Sequence, residues 1–181
     1  MLEGKHINLR LFREEDLEEY LTLDSKFNER GDFPSTRFRS PAVARREFKK
    51  TGWWEPDVGR MLITAKDGRM LGIIVYFKPY AYRMGYEIGY GLFQRKDWGH
   101  GYVTEALRIF SAYLFEDRPI PRLQVCMVPD HVASRRVAEK AGYQHEGLQR
   151  KVGFQGGVYH DLHVLSLVRE ECPRLAEVLA G

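Results

Sequence analysis

Ile7, Leu9 and Leu11 alternate with polar neighbours over residues 6–12, which is the period of a half-buried strand. Over residues 13–23 the period changes, and Leu17, Tyr20 and Leu21 fall on one helical face. Residues 28–40 mix Arg, Gly, Pro, Phe and Ser without period and read as a loop. Ser40-Pro41 carries the N-cap and first-turn chemistry of a second helix, which ends near Thr51-Gly52 with Trp53 and Trp54 behind it. Apolar runs at 61–65 and 70–77 flank Lys66-Asp67-Gly68-Arg69, and Asp-Gly in that setting signals a hairpin. A further turn at 78–83 leads into a strand at 86–93, so three strands make an antiparallel meander. Next comes the stretch Gln94-Arg95-Lys96-Asp97-Trp98-Gly99-His100-Gly101-Tyr102-Val103-Thr104. It opens into a helix whose apolar positions Val103, Ala106, Leu107, Phe110 and Leu114 recur at three- and four-residue spacing. A strand at 122–128 follows, then a helix from a Pro129-Asp130 cap to Ala141 with Gly142 as its stop. Runs at 143–152 and 158–168, joined by Gln155-Gly156-Gly157, form a terminal hairpin, and 170–180 is a short tail. The expectation is a single α/β domain over residues 1–181, with a largely antiparallel meander feeding a βαβα unit.

The bulk numbers narrow the function classes. A chain of 181 residues is long enough to bury a core, and 44% hydrophobic with 29% charged residues is ordinary for a globular protein. A net charge of +3 leans toward anionic ligands but is too small for a nucleic-acid partner. No apolar run approaches the roughly 20 residues that span a bilayer, so no membrane is expected. The start, Met1-Leu2-Glu3-Gly4-Lys5, lacks a signal-peptide pattern, and the cytoplasm is the default location. Cys126 and Cys172 stand alone and suggest neither a disulfide framework nor a CxxC site.

A strand, a short glycine loop and a helix together aim partner-free amides at an anion, with the helix dipole adding partial positive charge. The stretch 94–104 therefore reads as a pyrophosphate cradle. Gly99, Gly101 and Thr104 supply two glycines of the three in a dinucleotide fingerprint, and no acidic residue ends the next strand. A Walker loop is absent. A plain tight turn is the bland alternative for the two glycines taken alone.

A second stretch, from Val125 through Pro129-Asp130-His131-Val132-Ala133-Ser134-Arg135-Arg136 to Ala141-Gly142-Tyr143 and Glu146-Gly147, changes that balance. In order and spacing the two stretches resemble the GNAT superfamily of acetyl-CoA-dependent N-acetyltransferases, and within it the Rim-type branch, which includes ribosomal-protein-alanine/serine acetyltransferases. Leu9-Arg10-Leu11, Glu15-Asp16-Leu17, Thr104-Glu105-Ala106 and Tyr159-His160-Asp161 fit it too, so the resemblance spans nearly the whole chain. It implies a mixed, mostly antiparallel central sheet with a splayed strand pair and flanking helices. It further implies acetyl-CoA as co-substrate, held by Lys96, Trp98, Gly99, His100, Gly101, Tyr102, Val103 and Thr104, with His131 at the start of the later helix. Arg136 and Lys140, four apart on that helix, are candidates to face the coenzyme phosphates, a solvated basic face being the equal alternative. Backbone N–H groups of Leu92 and Phe93 match the positions that meet the acyl carbonyl. Ser134 matches the position beside the coenzyme sulfur, and Tyr143 a packing aromatic. Two positions depart from the pattern: Lys96 replaces Gln or Arg, and His131 replaces Asn.

Amide formation from a thioester needs a polarised carbonyl, a neutral amine, a protonated leaving thiolate and close juxtaposition. Alternation along residues 86–93 puts Glu87, Gly89 and Gly91 on one strand face, with room for a ligand where side chains are missing. Glu87 is the candidate general base, acting on the ammonium directly or through water, and Ser134 the candidate proton donor to the thiolate. The acceptor pocket is expected from residues 33–38, Trp53, Trp54, Tyr80 and Tyr82, with His160 and Asp161 at its border. His160 and His163 point to opposite faces of a strand and no ligand set completes them, so no metal is expected. The function expected is acetyl transfer to a primary amine, on a protein N-terminus or a small molecule, in a ternary complex by a monomer or homodimer. A non-catalytic acyl-CoA-binding or regulatory module is the alternative, with nucleotide binding on a dinucleotide fold as a third class.

Overall fold

The computed structural model describes residues 1–29, 39–80 and 84–181. Its strands are β1 (Leu2–Glu3), β2 (Ile7–Leu11), β3 (Val58–Ala65), β4 (Met70–Phe77), β5 (Tyr86–Leu92), β6 (Arg122–Met127), β7 (Gln144–Gln155) and β8 (Val158–Val168). They make one sheet in the order β1-β2-β3-β4-β5-β6-β8-β7. All neighbours are antiparallel except β5 and β6. That parallel pair touches only at Tyr86↔Leu123 and Glu87↔Gln124. Beyond Glu87 the two strands part, although β5 runs on to Leu92 and β6 to Met127.

Helices α1 (Leu17–Asp24), α2 (Pro41–Thr51), α3 (Tyr102–Asp117), α4 (Val132–Lys140) and α5 (Leu175–Ala180) complete the described residues, with short 3₁₀ turns between. The two faces of the sheet have separate cores. One packs Ile63, Ile74, Tyr76, Ile88, Leu123, Val125 and Leu165 against Ala106, Leu107, Phe110 and Leu114 of α3 and Ala138 of α4. The other packs Leu62, Met70 and Phe93 against Leu17, Tyr20 and Leu23 of α1 and Ala44 of α2. Period-2 alternation divides the buried strand residues between the two cores. Trp53 and Trp54 are divided the same way: Trp53 joins the α1–α2 core, while Trp54 stacks edge-on to Tyr76 and Phe110 in the α3 core.

Asp16 fixes the start of α1 on β2. Arg10 donates to its two oxygens at 2.6 and 2.7 Å, and the Arg13 amide donates at 2.7 Å. Gly52, at φ 62°, ends α2 in the left-handed conformation that glycine tolerates. Three expectations need correction. His131, not Pro129-Asp130, is the N-cap of α4. The tail holds α5, whose Leu175, Val178 and Leu179 pack on the α3 core, because apolar spacing in a six-residue helix is too short to declare itself. The N-terminal pair β1 extends the sheet by one strand beyond the expected meander.

Candidate active site

The glycine stretch forms a bent approach to α3. After β5, residues Arg95–Asp97 make a 3₁₀ turn, and Gly99 and Gly101 both adopt left-handed φ, 78° and 80°. A Cβ added to either would meet no atom within 4 Å, so open space and not packing surrounds them. Gly101 caps α3, and its carbonyl accepts the first helical bond from Glu105 N–H. Among the described residues no amide from Gly99 to Thr104 has a hydrogen-bond partner. These free donors at the positive end of a 16-residue helix fit a pyrophosphate. His100 stacks on Tyr102 at 5.4 Å, and the Arg95 guanidinium lies 5.4 Å from the centre of the Trp98 ring. Lys96, Trp98 and His100 are exposed, and Tyr102, Val103 and Thr104 half-buried, as a cradle requires.

The cradle is clamped from behind. Asp97 is buried and receives both Arg69 nitrogens at 3.0 Å, so the β3–β4 hairpin turn grips the loop. Among the described residues Asp97 holds no other side-chain partner, whereas Arg69 is 40% exposed. Arg69→Ala therefore strands a buried carboxylate and costs roughly 1–3 kcal/mol. Asp97→Ala frees a guanidinium that water reaches, and costs less. At roughly 2–4 °C per kcal/mol for a chain of this length, thermal melts resolve the order. A larger loss in Asp97→Ala than in Arg69→Ala would contradict this account of the clamp.

The parted strands form the second half of the site. The Phe93 amide donates to Leu71 O at 2.9 Å, so it is spent on the sheet and cannot meet an acyl carbonyl. That corrects the expectation for Phe93, whose ring is buried in the α1–α2 core. In an antiparallel ladder the next amide points the other way, so Leu92 N–H faces away from β4 into the gap that β6 vacates.

Glu87 sits at the apex of the gap on the α1–α2 face. Its Oε2 accepts from Gln124 Nε2 at 2.9 Å and from the Cys126 thiol at 3.4 Å. Oε1 has no partner among the described residues. Burial, followed by the Glu87 charge, pushes the Cys126 thiol up to about 12, so it stays a neutral donor. Gly89 and Gly91 continue the same face; a Cβ on Gly91 would meet nothing within 4 Å, and one on Gly89 only Val75 Cγ2 at 3.1 Å. A lane without side chains thus leads from the gap to Glu87.

On the opposite face, Ser134 is buried in the first turn of α4. The Tyr90 hydroxyl lies 3.1 Å from Ser134 Oγ and 3.2 Å from its carbonyl. Burial pushes the Tyr90 hydroxyl up to about 12, and the hydrogen bond with Ser134 moderates that rise. Tyr90 therefore stays protonated and holds Ser134 against β5.

His131 caps α4 with its ring. Its Nδ1 accepts the Ser134 N–H at 3.4 Å, the bond an Asn side-chain oxygen makes at an N-cap. Burial lowers the imidazole from its ordinary value of 6.5, which keeps that acceptor free of a proton. The sign follows: as pH falls below 6.5 the unfolded chain takes up the proton first. The His131 contribution is thus complete above that value and lost below it, where a cation would also oppose the helix dipole. Melting temperatures across roughly pH 5–8 should fall more steeply on the acid side for the natural chain than for His131→Asn. Parallel curves would contradict the cap.

The remaining expected residues divide. Arg136 and Lys140 are exposed on α4, and Arg108 Nε donates to the Lys140 carbonyl at 3.1 Å. Tyr143 is buried with its hydroxyl 2.8 Å from Ser111 Oγ, a packing position. Trp54 is not at the acceptor lane, because the residue after Trp53 turns to the other sheet face. His160 and Asp161 lie in the β7–β8 arm, beyond the His163 that pairs with the end of β6. There Asp161 accepts the Lys151 amide at 2.9 Å, and His160 Nε2 is 3.1 Å from Gln155 O. Both are engaged in the arm itself. Tyr82 and residues 33–38 lie outside the described residues. Among the described residues no cluster of three or more His, Cys, Asp or Glu offers a metal site. Sequence reasoning missed Tyr90, Gln124 and Cys126. Gln124 and Cys126 had a faint signal, as polar positions alternating with Leu123, Val125 and Met127, but their neighbour Glu87 depends on strand register.

A sheet whose one parallel pair parts beside a glycine-capped helix is the architecture of the N-acetyltransferases. The chain belongs to the acetyltransferase (GNAT) domain family, whose model matches residues 6–144. It is 29% identical over 180 residues to a Bacillus subtilis protein named "Probable N-acetyltransferase YjcK", covering 94% of this chain and 98% of that one. Among solved structures it resembles a GNAT-family acetyltransferase from Bacillus anthracis, with a TM-score of 0.77 at 22% identity over 94% of this chain and 99% of the other. It also shares the fold of the ribosomal-protein-S5-alanine acetyltransferase from Vibrio fischeri, with a TM-score of 0.75 at 17% identity, covering 94% and 97%. The protein is an acetyl-CoA-dependent N-acetyltransferase by family. No helix among the described residues is long and apolar enough to cross a membrane.

Proposed function

We propose that acetyl-CoA docks with its pyrophosphate on the amides of Gly99–Thr104, and that its acetyl group passes directly to a primary amine at Glu87. The observation that carries this reading is the single two-residue contact between β5 and β6, which opens a slot whose wide end meets the cradle. Bound coenzyme supplies the thioester carbonyl. Leu92 N–H polarises the carbonyl oxygen from the β5 side. Glu87 Oε1 takes the proton of the incoming ammonium, directly or through a water, while Gln124 and Cys126 steady Oε2. The neutral nitrogen forms a C–N bond as the C–S bond breaks, and Ser134 Oγ delivers its proton to sulfur. The second proton shed by the nitrogen on becoming an amide restores the Ser134 hydroxyl through water, with Tyr90 hydrogen-bonded to Ser134 throughout. Acceptor and coenzyme enter from opposite sheet faces, so both are held at once and no acyl-enzyme is needed.

The test is thiol release from acetyl-CoA with a panel of peptides, amino acids, aminoglycosides and polyamines, with products identified by mass. Amine-dependent thiol release with a product heavier by one acetyl group is expected. Binding of CoA without turnover on any amine would favour a non-catalytic acyl-CoA module instead.

A further inference from the structure

The acceptor face holds a cation that the transfer chemistry does not use. Arg60 stands on β3 on the same face as Glu87, since it pairs with Val75, and Val75 with Gly89. From the register, its Cα is roughly 12 Å from that of Glu87: two strand spacings across and two residues along. Its guanidinium carbon lies 4.7 Å from the centre of the Trp53 ring, and that of Arg39 lies 4.7 Å from the same ring. Trp53 is itself held at positive φ, 57°, and is buried among Phe12, Tyr20 and Phe48. Two guanidinium groups on one buried indole are an arrangement with excess positive charge. Arg39 has a counter-ion, Glu47. Arg60 is only half-exposed and, among the described residues, has no carboxylate within ion-pair distance. Burial, with the Arg39 charge adding to it, holds its guanidinium below the usual arginine range, and Asp24 and Tyr20 offset this only in part. Burying an unpaired charge is costly, and an incoming anion would remove that cost.

We propose that Arg60, backed by Arg39, is an anion subsite of the acceptor pocket, and that the acceptor is an amine carrying a carboxylate or phosphate on the same small molecule or chain end. Glu87 receives the ammonium and Arg60 the anion, so the pocket is complementary to a zwitterion and hostile to a polyamine. Arginine suits either oxyanion because its planar fork donates two parallel bonds. This rests on the acceptor side of the slot proposed above.

The experiment compares glycine, β-alanine and 4-aminobutyrate with their amides, and phosphoethanolamine with ethanolamine, with spermidine as the polycation. Each is titrated calorimetrically into CoA-saturated protein and assayed separately for kcat/KM with acetyl-CoA. At least a tenfold preference for the anionic member of one or more pairs is expected in binding. In Arg60→Gln it should drop to about twofold or less, with the KM for acetyl-CoA unchanged. Arg60→Lys keeps the charge and should retain part of the preference, which separates lost recognition from lost folding. The carboxylate and phosphate pairs tell the two anions apart. Binding that favours the amides or spermidine, no discrimination at all, or a preference that survives in Arg60→Gln would overturn the subsite. An anionic preference in binding with no turnover on any amine would leave the subsite standing and refute the transfer reaction.

Discussion

Replacing Glu87 by Gln should lower kcat by roughly 10²–10⁴-fold near neutral pH, the usual contribution of a positioned general base. The substitution keeps the shape of the side chain, and its amide oxygen still accepts from Gln124 and Cys126, so the apex of the slot should hold. What is lost is an oxygen able to take a proton. The proposed acetyl-CoA contacts lie on the cradle and along β5, so the KM for acetyl-CoA should stay within about twofold. Raising the pH supplies more neutral amine from solution and should narrow the gap between the variant and the natural enzyme. Steady-state kinetics across the pH range check both statements. A variant with the natural rate and the natural pH profile would remove Glu87 from the chemistry.

A smaller loss, displaced to coenzyme binding, is expected from Gly101→Ala. At φ 80° an L-residue costs roughly 1–2 kcal/mol, and the loop can relieve that cost only by turning its amides away. The new methyl group meets no protein atom, so it projects into the space where phosphate oxygens approach. The two effects together should raise the KM for acetyl-CoA at least tenfold, which corresponds to about 1.4 kcal/mol. The rate at saturation should change little, because Glu87 and Ser134 are untouched. Gly157→Ala is the matching control: it has φ 82° and open surroundings but sits in the β7–β8 turn. It should show the strain in its melting temperature and leave KM alone. Equal KM values in the two variants would argue against the cradle.

These effects explain why the coenzyme half of the site was legible and the acceptor half was not. The cradle is local: strand, glycines and helix are consecutive, so their spacing alone brings the amides of residues 99–104 together. On the acceptor side only the shared face of Glu87, Gly89 and Gly91 was legible, because alternation within one strand fixes which side chains share a face. The partners of Glu87 were not. Gln124 and Cys126 reach it through a parallel pairing 37 and 39 residues away in the chain, and two residues of register decide it. The clamp between Arg69 and Asp97 spans 28 residues and turns on which strand edge the hairpin turn meets. Trp53 and Trp54 show the limit most plainly. Adjacent and chemically alike, they were expected at one pocket, and a single step of the backbone sends them to opposite cores. Phe93 failed for a similar reason, since its amide is claimed by a neighbouring strand that the sequence could pair only approximately. His131, by contrast, acts within one helical turn, where its unprotonated ring nitrogen accepts the Ser134 amide as the N-cap of α4.

The central claim is that the free amides after β5 bind the coenzyme beside an open slot. At 21.1 kDa the protein suits amide-resolved NMR, and titration with CoA reads the claim residue by residue. The largest shifts should fall on the amides of Gly99, His100, Gly101, Tyr102, Val103 and Thr104, with Leu92 following and Phe93 nearly still. Saturable CoA binding that leaves those six amides unmoved would contradict the account.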